Sequence, residues 1–279
     1  MLLLRDYFIS MGVELFAYLP ADTLPVIHPH LLRALPDVST VLFAAIPYYV
    51  SDESSNLAMF ARGRDYHAFA RSLGKGASAV LHRNHPQAKS AAFADHSPYN
   101  EVVGAAMAGL GVIGDNGLLI TEKYSSFIFI FEFLTTLTPA EMETEGIPRG
   151  DGVIRHCRHC GACAAACPGQ CIGRDRTTCL SAIGQKKGDL TEAEIRRFRT
   201  GKYAWGCDVC QLVCPHTQQA IRAGTIDTPI DYFRENRLST LTAETVAAMD
   251  ESAYGAYAFG WRPKAVMLRN LRMMEEKND

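Results

Sequence analysis

The chain has 279 residues, 48% of them hydrophobic and 21% charged, with 28 basic against 30 acidic side chains. That balance supports buried cores in about two domains and excludes both global disorder and a wholly basic nucleic-acid binder. No apolar stretch approaches the ~20 residues of a membrane span. The most apolar run, 127–137, is broken by Glu132. The opening Met1-Leu2-Leu3-Leu4 is followed by Arg5 and Asp6, which excludes a signal peptide, so the chain is read as cytoplasmic.

In chain order, residues 1–148 read as a mixed α/β domain. Thr40–Pro47, TVLFAAIP, is a short β-branched and apolar run that predicts a buried strand. Residues 65–81 carry a helical pattern, although two glycines weaken it. Ser97-Pro98 offers an N-cap and a first-turn proline for a helix running to about Ala108, which Gly109 and Gly111 stop. Residues 118–121 and 126–133 are strand candidates, the second a stripe of Phe and Ile that reads as core. Residues 109–114, GLGVIG, satisfy G-x-G-x-x-G, but a helix precedes them and a strand follows, the reverse of a dinucleotide-binding unit. Residues 141–151 are polar and hold Gly146, Pro148 and Gly150, a predicted linker. A cysteine-rich domain, 149–222, contains a helical insert at 191–200. A tail, 223–279, ends in a helix over 264–276. The expected class is α+β.

All nine cysteines fall between Cys157 and Cys214. In a cytoplasmic chain such crowding points to metal rather than disulfides. Cys157, Cys160, Cys163, Cys167 and Pro168 form C-x2-C-x2-C-x3-C-P, and Cys207, Cys210, Cys214 and Pro215 form C-x2-C-x3-C-P. A [4Fe–4S] cluster needs four thiolates, and in two-cluster ferredoxins the cysteine before proline serves the other cluster. One cluster then takes Cys157, Cys160, Cys163 and Cys214. The other takes Cys179, Cys207, Cys210 and Cys167. Cys171 is left as a buried spare thiol. Structural zinc, the competing reading, expects two compact four-ligand sets that this interlaced spacing does not supply. Residues 155–202 hold ten basic and four acidic residues; this strip either faces nucleic acid or offsets the charge of the clusters. Asp95, ahead of Ser97-Pro98, is by itself as much a turn residue as an acid. His82 and His85 read as solvated, and Tyr203 and Trp205 as shields for a cluster.

Four segments in order, FARGRDYH at 60–67, ADHSP at 94–98, GLGVIGDNGLLI at 109–120 and GCDVCQLVCP at 206–215, resemble epoxyqueuosine reductases. The resemblance covers about residues 60–215, with a weaker echo at Leu268-Arg269-Asn270. It implies two [4Fe–4S] clusters and a base-off cobalamin bound between the N-terminal and cluster domains. His67, Asp95, Gly111, Asn116 and Tyr203 would contact the cofactor. Asp95 matches the family's proton donor, and electrons would come from a ferredoxin or flavodoxin. The implied substrate is epoxyqueuosine in the tRNA anticodon loop. The alternatives are corrinoid-dependent reduction of a smaller molecule, and a non-catalytic electron carrier or corrinoid activator. Three positions depart from the family pattern: Val112 stands for Trp, Asp115 for Lys, and Val102 for the Arg of a Glu-Arg pair. Residues 215–279, with eight basic and nine acidic side chains, are not an obvious tRNA arm.

Overall fold

The structure, a computed structural model, describes residues 2–52 and 54–276. It divides into two compact units. The first comprises residues 1–47 and 67–158, the second 48–66 and 159–279. These boundaries differ from the three consecutive domains expected from sequence. Residues 48–66 leave the N-terminal unit, and the tail joins the cysteine segment rather than standing apart.

The first unit is built on a four-stranded antiparallel sheet in the order β1 (Leu15–Pro20), β2 (Thr40–Pro47), β6 (Ile128–Thr135) and β3 (Ser90–Ala94). Every residue of β2 is buried, as expected for an apolar run covered on both faces. A small hairpin of β4 (Val112–Ile113) and β5 (Leu119–Ile120) stands beside it. GLGVIG therefore enters a strand, as the order of its flanking elements predicts. The long helix Tyr66–Asn84 follows the expected 65–81 pattern and runs three residues further. Its Gly74 is a close-approach site, since a Cβ there would lie 2.5 Å from the Ala92 Cβ on β3.

Two local expectations are corrected. The Glu101–Met107 helix is capped by Asn100, whose side chain accepts from the Val103 N–H, and not by Ser97. Ser97 Oγ donates instead to the Tyr99 carbonyl at 2.9 Å, closing a turn. The polar stretch 141–151 is not a free linker. It begins inside the Pro139–Thr144 helix, which opens with a Thr138/Glu141 capping box. The neighbouring Glu145 is buried and takes the Leu4 N–H at 2.8 Å and His85 Nε2 at 3.0 Å. His85 is therefore paired, whereas His82 is exposed.

The second unit gathers short helices around a core of Leu57, Ala61, Trp205, Phe259, Met267 and Leu271, among others. Residues 48–66 belong to it by backbone pairing. Ala58 N donates to the Trp205 carbonyl at 2.9 Å, and Ala204 N to the Asn56 carbonyl. The insert forms a helix at Glu192–Phe198 with a Thr191/Glu194 capping box, and the tail helix spans Lys264–Glu275. Among the described residues no helix is long and apolar enough to cross a membrane.

Candidate functional site

In the second unit the backbone brings Cys167, Cys171, Cys179 and Cys207 into one neighbourhood. Cys167 Sγ and Cys171 Sγ are 3.6 Å apart, and Cys179 and Cys167 both act electrostatically on Cys207. All nine cysteines are free thiols. Burial works against ionisation of Cys167, but hydrogen bonds from Cys171, Gly169 and Gln170 prevail and hold its thiol below the usual range. Cys171 is itself 6% exposed and is pushed the other way, first by burial and then by the bond to Cys167. Burial raises Cys207 to about 11. Soft, crowded and partly desolvated thiols suit iron–sulfur ligation, which supplies the charge compensation they lack. Cys160, Cys163 and Cys214 lie in the same unit, while Cys157 falls in the chain segment assigned to the first.

What surrounds these cysteines explains several residues that spacing alone did not. Asp208 is 1% exposed; its Oδ2 accepts the Met59 N–H at 2.6 Å and its Oδ1 the Gln211 amide at 3.2 Å. It thereby ties segment 57–62 to the loop that carries Cys207 and Cys210. Desolvation pushes its carboxyl up to about 6, against the pull of the Met59 N–H and Arg62. Tyr203 and Trp205 are buried, Tyr203 with its hydroxyl pushed upward by burial and by the nearby Asp208 and Cys207. At the tail, Asn270 is fully buried and its amide donates to the carbonyls of Gly184, at 2.8 Å, and Ala204, at 2.9 Å. Arg269 binds the carbonyls of Lys186 and Gly184. The Leu268-Arg269-Asn270 echo is thus a staple between the tail helix and the segments that follow Cys179 and precede Cys207.

In the first unit Asp95 follows β3 with φ of 67°, a left-handed conformation that non-glycine residues adopt at a cost of about 1 kcal/mol or more. Its Oδ2 lies 3.3 Å from His67 Nε2, at the first turn of the long helix. Both side chains are substantially exposed. His67 and His96 line a cleft of about 220 Å³ with Arg71, Phe93, Phe131 and the small residues Ala70, Ala92 and Ala94. The volume falls below the ~300–1,000 Å³ typical of small-molecule pockets. Beneath the loop, the Asp95 backbone N–H binds the Glu101 carboxyl, which desolvation and then the Asp95 charge push up to about 8.

The remaining expected contacts have a local explanation. At Gly111 a Cβ would meet the Ile120 carbonyl oxygen at 2.4 Å, so the hairpin itself demands glycine there. Asn116 is buried with Oδ1 accepting the Leu118 N–H at 3.2 Å, a turn-forming bond between β4 and β5.

Residues 156–217 match the family model described as a 4Fe-4S double cluster binding domain, a span that contains every cysteine. Over 251 residues the chain is 28% identical to the epoxyqueuosine reductase of Gloeobacter violaceus, covering 86% of this chain and 76% of that protein. Over 197 residues it is 30% identical to the Synechocystis enzyme of the same name, covering 66% and 65%. The chain thus spans about two thirds to three quarters of the length of these relatives. The epoxyqueuosine reductase from Streptococcus thermophilus superposes with a TM-score of 0.78 at 20% identity, over 99% of this chain and 80% of that one. A structure of an epoxyqueuosine reductase with an epoxyqueuosine-modified tRNA-Tyr stem loop superposes at 0.77, with 19% identity over 97% and 79%. The fold is shared over nearly the whole chain, and the sequence is similar to that of epoxyqueuosine reductases.

Proposed function

We propose that this protein reduces epoxyqueuosine in the anticodon loop of tRNA to queuosine, using two [4Fe–4S] clusters and base-off cobalamin. The observation that carries the reading is the Asp95–His67 pair at the mouth of a cleft, held by the segments 60–67 and 94–98 that mark the family. Cys157, Cys160, Cys163 and Cys214 would hold one cluster, and Cys167, Cys179, Cys207 and Cys210 the other. The cleft would hold an edge of the cofactor: three alanines keep its lining small, and His67 faces Asp95. Bound cobalamin would supply the reducing equivalents at the substrate carbon. His67 and Asp95 would stand beside it, with electrons arriving from a ferredoxin or flavodoxin in the cytoplasm.

Removing the epoxide oxygen as water consumes two electrons and two protons, so the site needs an acid. Asp95 fills that role: a partly exposed carboxyl, oriented by an imidazole on one side and anchored by its own N–H on the other. In protein loaded with iron and cobalamin, Asp95→Asn should lower turnover of an epoxyqueuosine stem-loop by ~10²-fold or more, with iron content and the cobalamin spectrum retained. Full activity of that variant would overturn the assignment. Corrinoid-dependent reduction of a smaller molecule is the second reading. It is favoured by the near-neutral segment 215–279 and by Val102, Val112 and Asp115; wild-type protein that bound both cofactors yet left the stem-loop unreduced would establish it over the first.

A further inference from the structure

The first unit buries two carboxyls that the reading above leaves unused. Glu132 stands in the middle of β6, where its register partners are Phe43 on β2 and Phe93 on β3. Paired residues project to the same face, so the three side chains form one row across the sheet. The Glu101–Met107 helix lies over that row, because a Cβ at Gly104 would meet the Phe43 ring at 2.2 Å. Glu101, three residues before Gly104, faces the same way. Glu132 is 0% exposed and neither of its oxygens has a partner; Glu101 Oε1 is buried and unpartnered too. The hydroxyl of Ser97 is the nearest hydrogen-bonding group and pulls Glu132 downward, but it donates to the Tyr99 carbonyl and leaves the carboxyl without a bond within hydrogen-bond distance. A buried carboxyl without partners persists far more cheaply neutral than charged.

We propose that Glu101, resting on Glu132, is the positioning residue of Asp95: as a neutral carboxyl it grips the Asp95 backbone N–H and keeps negative charge out of the floor beneath the acid. This deepens the reading of Asp95 as proton donor and rests on it. The grip offsets the cost of the left-handed backbone at Asp95. The neutrality serves the chemistry. As the Asp95 O–H bond breaks and the proton bonds to the departing oxygen, Asp95 acquires a negative charge that an ionised Glu101 would oppose. The two electrons come from the low-potential one-electron donor by way of the clusters. The protons come from solvent through Asp95.

Desolvation pushes both carboxyls up to about 8, with the Asp95 charge adding to Glu101 and Glu101 adding to Glu132. The charged groups facing Glu101 are Asp95 after β3 and Glu132 on β6, and Tyr99 ahead of the helix faces Glu132; His67 faces Asp95, and β2 presents only Phe43. Tyr99 is pushed up to about 12, outside the window in which the carboxyls ionise. Raising the pH through about 8 therefore strengthens the bond to the Asp95 N–H but places a negative charge beneath the acid, which slows proton transfer.

The test compares Glu101→Gln with Glu101→Ala in cluster-loaded protein. The first readout is an infrared pH titration of the protonated carboxyl stretch, taken without cobalamin or substrate. Wild-type protein should keep that band at pH 7 and lose it near pH 8, and Glu101→Gln should remove part of it. The second is turnover of the epoxyqueuosine stem-loop against pH. Glu101→Ala should lose ~10-fold or more in kcat with little change in KM, and Glu101→Gln should rescue most of that loss and flatten the alkaline decline. Glutamine as slow as alanine, or an unchanged alkaline decline, overturns the proposal. So does a Glu101 already ionised at pH 7 in the infrared, even if Asp95→Asn has confirmed the acid. A fully active Asp95→Asn removes the reading beneath it, which the infrared result does not touch.

Discussion

Glu132 offers a quantitative check on the first unit, through the substitution Glu132→Gln. The side chain keeps its shape and loses only its ability to ionise. Burial places the native carboxyl at about 8 against an ordinary 4.5. An acid whose folded value lies above its unfolded value gives stability that is complete below about 4.5 and is lost as the pH rises through about 8. The full difference corresponds to about 5 kcal/mol, of which about 4 kcal/mol falls between pH 5 and pH 9. Glutamine removes that loss, so variant minus wild-type stability should rise by up to about 4 kcal/mol across this interval. Glu101 titrates in both proteins, so all but its coupling to Glu132 cancels from the difference. The assay must report on the right unit. Trp205 and Trp261, the only tryptophans, both belong to the second, so fluorescence is blind to the sheet. Amide hydrogen exchange of β2 and β6 peptides along a urea series, corrected for intrinsic rates, reads it directly. A variant advantage that is the same at pH 5 and pH 9, or that shrinks, would show that Glu132 is not held neutral by burial.

Two further outcomes test the second unit. Anaerobic reconstitution should give about eight irons per chain; Cys171→Ser should leave that number unchanged, whereas Cys179→Ser should lower it towards about four. Exchange of those two results would replace the ligand set. Asn270→Leu leaves the carbonyls of Gly184 and Ala204 buried without their donor, a cost of about 2–3 kcal/mol. It should speed iron loss to a chelator and lower the thermal midpoint, and unchanged values of both would deny the staple its role.

Where the sequence was legible, one physical signal dominated the local structure. Thr40–Pro47 is a strand over the expected residues because a short apolar run opening on β-branched residues suits a doubly covered strand. The cysteine spacings were informative because cluster geometry admits few alternatives. Elements governed by distant partners were not readable. β1 and β3 carry no strong alternation, and they are strands because β2 and β6 offer them edges. The cap moved from Ser97 to Asn100 because the Ser97 hydroxyl is spent on a turn. Segment 48–66 left its domain through bonds to residues about 150 positions away, a pairing that no local pattern announces. Glu132 was visible only as an interruption of an apolar run, although a lone acid inside a strand candidate is itself a signal of a buried, functional carboxyl.

The departure at Val102 and the neutral floor under Asp95 are connected. Where the family pattern has Glu-Arg, this chain has Glu101-Val102, adjacent on the helix and about 100° apart around its axis. An arginine there would place a permanent cation within reach of Glu101 and favour its ionised form. With valine, the influences on Glu101 are burial and the Asp95 charge, which both favour the proton, opposed by one backbone hydrogen bond. A neutral Glu101 is then the expected state at physiological pH, and its contribution shifts from charge to geometry. On the solvent side His67 supplies the polar partner that orients Asp95, while on the buried side Glu101 fixes the backbone from which Asp95 projects. On the assignment proposed for Asp95, changing one residue on the helix thus alters the electrostatics beneath it.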